Sequence, residues 1–354
     1  MSAPSSKEKQ STTRGARMID VARLAGVSQQ TVSRVVNDSP NVAPDIRERV
    51  ELAIRQLRYR RNPAARALAN GQTMNLGIVS FGLAQYGPSV ALSGIADEAR
   101  SAGYATNLVT LGDVDRVAMK AALDHLAEDS VDGIVVLAPV QAALEAISGL
   151  EAGVPLVFFE PGAPEGTTSV ATDEVGGAAL ATRHLLDLGH DTVWQVAGPR
   201  GWLGSEARLR GWSTTLAAAG RVTNRVISGD WTTRSGYAAG REIARNPGIT
   251  AVFVANDQMA LGVVKALSEC GVRVPDDVSV VGFDDVPEAQ YYRPGLTTVH
   301  LDFEEVGRLA VDRILHLMRG GQADALPRVL PTLVVRQSTA PPSGIPRTID
   351  PHLR

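Results

Sequence analysis

Three absences limit what this sequence can be. It contains one cysteine, Cys270, which excludes an intramolecular disulfide framework. Aromatic residues make up only 5% of the 354 residues, and no apolar run approaches the ~18 residues that a membrane span needs. Residues 1–17 are rich in Ser, Thr and Lys and lack the apolar segment of a secretory signal. We therefore expect a cytoplasmic protein without a membrane partner, long enough for two or three domains.

The formal net charge of −3 conceals an uneven distribution of charge. Residues 1–70 contain 13 Lys and Arg but six Asp and Glu, whereas the rest of the chain contains 22 and 32. A basic segment joined to an acidic body indicates an anionic partner for that segment. Nucleic acid is the leading candidate and a membrane surface the second. A solvated basic tail is the alternative that charge alone leaves open.

Residues 17–61 have the pattern of a three-helix domain that follows a polar tail, residues 1–16, which we expect to be disordered. From Met18 apolar residues recur at helical spacing until Gly26, which is suited to end a helix. Ser28 can cap a second helix, and Pro44 suits the first turn of a third. The short turn between the first two helices predicts a helix-turn-helix.

The second of these helices has an apolar and a polar side. Val32 and Val35 lie inward. The exposed side carries three residues with side chains that can read bases, Gln29, Gln30 and Arg34. Glutamine pairs with adenine and arginine with guanine in the major groove, while the hydroxyls of Thr31 and Ser33 suit phosphate contacts. A small helical bundle with a polar face is the alternative.

From residue 76 onward apolar strands alternate with amphipathic helices, which predicts an α/β body of doubly wound parallel sheets. The eight predicted strands are Leu76–Ser80, Tyr104–Thr110, Gly133–Ala138, Pro155–Phe159, Thr192–Ala197, Val226–Ser228, Ala251–Ala255 and Ser279–Phe283. The predicted helices include Ser89–Ala102, Arg116–Glu128, Val175–Leu188, Ala207–Ala219, Arg234–Arg245 and Gln258–Cys270. Eight strands are better divided between two subdomains than gathered in one sheet, with the break near 171–173.

Several segments resemble the LacI/GalR family of bacterial repressors. The resemblance covers about residues 18–338 and is carried by QTVSRVVN at 30–37, VANDQMALG at 254–262, SVVGFDD at 279–285 and LTTV at 296–299. It implies an N-terminal helix-turn-helix and a two-subdomain body, 73–338, whose fold is similar to periplasmic sugar-binding proteins. The implied subdomains are 73–172 with 302–330, and 173–301 with 331–338, before a disordered tail, 339–354.

By the same resemblance, residues 62–72 correspond to a hinge helix. Asn62 lies at its start, and Leu68 matches an apolar wedge that enters the minor groove and bends the duplex. So short a helix is marginal alone, so we expect it to form only when it docks. Two such segments on a symmetric homodimer imply a palindromic operator in double-stranded DNA. Packing inside the protein is the alternative for Leu68.

The resemblance also implies an effector site in the acidic body. Four residues match positions that bind a sugar effector in the family, namely Arg208, Trp231, Asn256 and Asp284. Glu160 stands where an aspartate is expected, and Phe303 matches an aromatic residue at the edge of the pocket. Hydrogen-bonding groups beside a flat apolar surface are what a sugar ring requires.

Each of these matches has an ordinary alternative when it is taken alone. Asp284 can cap a helix, and Trp231 can belong to the core. Arg208 can form an ion pair with Glu206, two residues before it. The joint match to the family favours the effector site.

Signatures of catalysis are missing from the sequence. It has no Gly-x-x-x-x-Gly-Lys loop, no Gly-x-Ser-x-Gly elbow and no His-Glu-x-x-His motif. His184 and His190 have a poor spacing for a metal, and we expect them to be solvated or to cap helices. Asp284 and Asp285 form a carboxylate pair without an accompanying nucleophile. We therefore predict no enzymatic activity, no cofactor and no metal.

Together these features predict a transcriptional repressor that leaves its operator when a sugar, a galactoside or a related compound, binds between the subdomains. No leucine heptad follows residue 336, which favours a dimer over a tetramer. Two alternatives remain open. One is a family member whose ligand is a co-repressor, and the other is a sugar-binding protein or enzyme with an incidental basic head.

Overall fold

The computed structural model of the chain describes residues 16–36, 39–59, 72–159, 168–322 and 328–344. Contacts divide the chain into two units, residues 1–73 and residues 74–354. The predicted tail up to residue 15, the hinge positions Asn62 and Leu68, and Glu160 lie outside the described residues. Within the described ranges, every helix is too short or too polar to traverse a lipid bilayer.

The N-terminal unit contains three helices, α1 (Met18–Ala25), α2 (Gln29–Val36) and α3 (Pro44–Leu57). Gly26 ends α1 in the left-handed conformation, with φ of 67°. The Ser28 hydroxyl accepts the backbone N–H of Thr31 at 3.1 Å and so caps α2. Val21, Val32 and Val50 form the centre of a small apolar core. The predicted helix-turn-helix is confirmed.

The first sheet of the body has five parallel strands in the order β2-β1-β3-β4-β5. They are β1 (Asn75–Ser80), β2 (Ala105–Thr110), β3 (Gly133–Leu137), β4 (Leu156–Phe159) and β5 (Thr168–Val170). Three helices connect them, α4 (Tyr86–Ser101), α5 (Arg116–Glu128) and α6 (Gln141–Ile147). All five residues of β3 are buried, as expected for a parallel strand covered on both faces.

The second sheet has six strands in the order β11-β10-β9-β8-β6-β7, and only β11 is antiparallel to its neighbour. The strands are β6 (Trp194–Ala197), β7 (Val226–Ser228), β8 (Ala251–Val254), β9 (Ser279–Asp284), β10 (Thr297–His300) and β11 (Thr332–Val334). The helices are α7 (Glu174–Asp187), α8 (Leu203–Ala218), α9 (Thr233–Ala244), α10 (Asp257–Glu269) and α11 (Phe303–Met318). Of these, α11 packs on α4 of the first subdomain.

The predicted α/β architecture of two parallel-sheet subdomains is confirmed, and the structure adds three strands that the sequence pattern did not predict. These are β5, β10 and β11, each of three or four residues and each containing threonine. The chain passes between the subdomains near 171–173, where Thr172 bridges Val329 and the Asp173 N–H donates to the Val329 carbonyl at 3.0 Å.

Two predictions were wrong, one about the C-terminal tail and one about His190. Residues 339 and 340 do not begin a disordered tail, because Ala340 accepts hydrogen bonds from the Ser279 hydroxyl at 2.9 Å and from Nε2 of His190 at 3.0 Å. His190 is buried rather than solvated, and its Nδ1 lies 3.0 Å from the Thr250 hydroxyl. Burial lowers the pKa of His190, which favours the neutral ring. His184 likewise binds the Thr339 hydroxyl at 3.0 Å.

Candidate functional site

A cleft lies at the carboxyl ends of the strands of both sheets. Ligands bind at this edge of open α/β sheets, where the strand order reverses. The walls come from both subdomains. The lining residues are Gln85, Tyr86, Gly87, Pro88, Pro139, Phe159, Glu174, Trp202, Gly204, Arg208, Trp231, Asn256, Asp284 and Phe303.

Arg208, on α8, lies at the centre of the polar wall. Its Nε donates to Oε2 of Glu174 at 2.6 Å, and its Nη2 lies 3.0 Å from Oδ1 of Asp284. A further guanidinium N–H donates to the carbonyl of Ala255. The guanidinium carbon is 4.0 Å from the ring centre of Phe283, so the group also stacks on an aromatic face. Arg208 is therefore held in one position by its surroundings.

Asp284 ends β9 with φ of 101°, a left-handed conformation that is strained for a residue with a side chain. Burial raises the pKa of its carboxyl to about 7. The Arg208 guanidinium opposes this rise in pKa, and the negative charge of Glu174 reinforces it. Oδ1 of Asp284 lies against Nη2 of Arg208, and a carboxylate oxygen can accept a second hydrogen bond. A buried acceptor of this kind is suited to a ligand hydroxyl.

Trp231 supplies an apolar face and a polar edge. Its backbone also has a positive φ, 73°, and its carbonyl accepts the side-chain N–H of Asn256 at 3.1 Å. The side-chain oxygen of Asn256 accepts the N–H of Met259 at 2.9 Å, which caps α10. The indole ring packs directly over Gly198. Its Nε1–H is buried and has no acceptor among the described residues, so it is a second group suited to a ligand.

Aromatic rings line two further sides of the cleft. Trp202, at the start of α8, lies edge-on to Trp231 with ring centres 6.0 Å apart. Tyr86 and Phe303 make a similar edge-on pair at 6.2 Å. These rings give the cleft flat apolar surfaces perpendicular to one another, next to the polar groups of Arg208 and Asp284.

Asp257 is buried next to the cleft and binds two of the segments that surround it. One carboxylate oxygen accepts the Thr298 hydroxyl at 2.6 Å, and the other accepts the N–H of Val286 at 2.9 Å. Burial, together with the nearby charge of Asp284, raises the pKa of Asp257 to about 8. Through these two hydrogen bonds Asp257 fixes the loop that follows Asp284.

The structure brings together most of the residues predicted from the sequence. Those that meet in the cleft are Arg208, Trp231, Asn256, Asp284 and Phe303. The alternative ion pair of Arg208 with Glu206 is not formed; Glu174 takes that place. Glu174 and Trp202 were missed by sequence reasoning. An acidic residue in the first turn of a helix has an ordinary explanation in the helix dipole, so Glu174 gave no separate signal.

The N-terminal unit presents a second candidate site on α2. Gln29, Gln30 and Arg34 are exposed, as predicted. The Thr31 hydroxyl lies 2.9 Å from that of Ser28 within the cap. The opposite side of α2 is buried against α1 and α3. The exposed side of α2 is thus a polar surface of the kind that enters a DNA groove.

Comparison with known proteins matches both units. Residues 17–62 match the family model described as bacterial regulatory proteins, lacI family, and residues 182–339 match the periplasmic binding protein-like domain. The lactose operon repressor of Escherichia coli strain K12 is 37% identical over 91% of this chain and 90% of its own length. A solved lac repressor dimer bound to operator and the anti-inducer ONPF has a TM-score of 0.83, with 34% identity over 92% of this chain and all of that chain. A complex of the transcriptional regulator CelR with cellobiose has a TM-score of 0.67, with 32% identity over 91% of this chain and 99% of that chain.

The fold and the two sites define a regulator that joins a helix-turn-helix to a periplasmic-binding-protein-like ligand domain. The chain belongs to the lacI family of bacterial regulatory proteins. It is a transcriptional repressor of that family with a ligand-binding body.

Proposed function

We propose that the protein is a homodimeric repressor of carbohydrate-utilisation genes in the bacterial cytoplasm that binds a palindromic operator and is released from it by an uncharged sugar, a galactoside or a related glycoside. The observation that carries the proposal is the presence of Asp284 and Trp231 in one cleft. A buried carboxylate that is ion-paired with Arg208 lies in the same cleft as an indole ring whose N–H lacks an acceptor within the described residues. A sugar ring satisfies both groups through its hydroxyls and covers the indole with its C–H face.

The relatives support a sugar and an operator as ligands. The E. coli relative is named for the lactose operon, and CelR was solved with cellobiose. The lac repressor was solved as a dimer on its operator. By analogy, Gln29, Gln30 and Arg34 read bases, Thr31 and Ser33 contact phosphates, and residues 62–72, with Asn62 and Leu68, form the hinge segment.

In the proposed mechanism, the two hinge segments of the dimer lie side by side on the operator when the cleft is empty. Sugar in the cleft contacts Arg208, Asn256, Asp284 and Trp231, with Glu160 as a further acceptor and Phe303 at the edge, and changes the angle between the subdomains. The hinge segments then separate and their helices melt. The sugar can act only through its different affinity for the two states, and a coupling of ~1–3 kcal/mol is typical. No chemical step is part of this account.

The test is selection of operator DNA from a randomised duplex pool by the full chain, with and without a panel of galactosides, glucosides and free monosaccharides. We expect a palindrome that is enriched without sugar and lost with one member of the panel. A palindrome retained only when a ligand is present would replace the inducer with a co-repressor. Enrichment of no palindrome, or turnover of a sugar by the protein, would contradict the proposal.

A further inference from the structure

The polar wall of the cleft holds more negative than positive charge. Arg208 is the cation among the described residues that line the cleft, and two carboxylates, those of Glu174 and Asp284, flank its guanidinium. All three side chains are at most 7% exposed. Charges in so dry a site act on one another and on a ligand with little screening by salt.

Glu174 binds the N–H edge of the Arg208 guanidinium that would otherwise be suited to an anionic ligand. Its two oxygens accept hydrogen bonds from Nε and Nη2 of Arg208 at 2.6 and 3.3 Å. This is the bidentate geometry in which arginine binds carboxylates. The Thr172 hydroxyl donates to Glu174 at 3.2 Å and fixes the carboxylate in place. The protein thus supplies its own carboxylate at the position where an acidic ligand would pair with Arg208.

The second carboxylate makes an additional negative charge costly. With its pKa raised to about 7, the Asp284 carboxyl is close to taking up a proton even without a ligand. Asp257 lies behind it, and its pKa is raised in part by the charge of Asp284. A ligand carboxylate or phosphate would therefore enter a site that already disfavours the charge of its own residues.

We propose that Glu174 determines the charge selectivity of the effector site, so that the cleft binds neutral and amino sugars and rejects sugar acids and sugar phosphates. This inference rests on the proposed function, because it concerns the same sugar site. Glu174 acts by neutralising Arg208 and by adding its field to that of Asp284. The ring-stacking surfaces of Trp231 and Trp202 do not distinguish these ligands.

The experiment compares three sugars of different charge: neutral galactose, galactosamine with an ammonium group at C2, and galacturonate with a carboxylate at C6. Their affinities for the full chain are measured by isothermal titration calorimetry at neutral pH. We expect galactosamine to bind at least as tightly as galactose, and galacturonate about a hundredfold more weakly or worse, because like charges brought together in a dry site are strongly disfavoured. In Glu174→Gln the ratio of galactose to galacturonate affinity should fall by about tenfold or more.

Glu206→Gln is the matched control, since Glu206 lies two residues from Arg208 on α8 and is outside the cleft lining. It should leave the ratio unchanged. Equal binding of galactose and galacturonate by the unaltered chain, or an unchanged ratio in Glu174→Gln, would overturn the inference. If galactose does not bind, glucose, glucosamine and glucuronate replace the series for the charge test, and the galactoside part of the proposed function is decided by the operator-release panel.

A measurement without ligand tests the inference even if neither series of sugars binds. Titration of the Asp284 carboxyl by carbon NMR should show a lower midpoint in Glu174→Gln than in the unaltered chain, because one neighbouring negative charge is gone. An unchanged midpoint would show that Glu174 exerts no field on the site and would refute the inference independently of which sugar binds.

Discussion

Asp257 makes the stability of the folded protein depend on pH. Its pKa rises from 3.8 to about 8 on folding, so the folded state holds a proton that the unfolded state releases across this window. Stability therefore falls as pH rises through the window, by at most about 1.4 kcal/mol per pH unit. Below the window both states are protonated and the slope vanishes.

Asp257→Asn should flatten this dependence. The amide can donate to the Thr298 hydroxyl and accept the Val286 N–H, so it keeps both hydrogen bonds without titrating. We expect the variant to be more stable than the unaltered chain above neutral pH, with the remaining slope due to Asp284. Urea unfolding across the window measures this, and parallel pH profiles for the two proteins would contradict the assignment.

Gly198 is a second residue whose effect can be isolated. A Cβ at this position would lie 2.2 Å from the nearest ring atom of Trp231, so Gly198→Ala must displace the indole. We expect sugar affinity to fall by about tenfold or more, since a stacking face is lost while every polar group remains. Fluorescence titration with the releasing sugar measures it.

Gly112→Ala is the control for Gly198→Ala, because a Cβ there meets nothing within 4 Å. Its sugar affinity should match that of the unaltered chain. Undiminished affinity in Gly198→Ala would show that the face of Trp231 is not part of the sugar site.

The residues of the cleft differ in how far the sequence predicts them. Arg208, Asn256 and Asp284 lie in segments whose order matches the family, and the structure places them together. Glu174 is 34 residues from Arg208, and no local pattern connects the two. Their pairing depends on the packing of α7 against α8, a tertiary contact that the folded structure reveals.

At the scale of elements, α2 depends on its cap. The Ser28 hydroxyl accepts the N–H of Thr31 and orders the first turn, which carries Gln29 and Gln30. Ser28→Ala should destabilise this unit by about 1 kcal/mol. Hydrogen exchange of the α2 amides in the full chain measures the loss. Ser28→Asp keeps an acceptor and should restore protection, and equal protection in both variants would contradict the role of the cap.

The strands show where a sequence pattern is insufficient. Strands β1, β3 and β9 can be predicted from their apolar runs, because both faces of each strand are buried and most of their residues are apolar. Strands β5, β10 and β11 are short and carry polar Thr and Ser side chains. They are strands because a neighbouring strand supplies hydrogen bonds, which is a tertiary effect rather than a local preference.

At the scale of the whole molecule, the proposed dimer accounts for exposed apolar residues. β2 is an edge strand on which Leu108 is 47% exposed, and Val117 on α5 is 79% exposed. Exposed edges of this kind are normally covered. Leu108→Glu should shift the dimer towards monomer and weaken operator binding, because two half-sites no longer bind together. Sedimentation measures the mass. A monodisperse dimer in the variant would exclude this edge from the interface.

In the proposed repressor, a sugar in the cleft and an operator on α2 weaken each other's binding. The most direct measurement closes the thermodynamic cycle: operator affinity with and without saturating sugar, and sugar affinity with and without operator. We expect both pairs to differ by the same factor, between about 5-fold and 150-fold, with each ligand weakening the other. Asp284→Ala should lose the sugar effect and keep operator binding. Equal operator affinity with and without bound sugar would contradict the account.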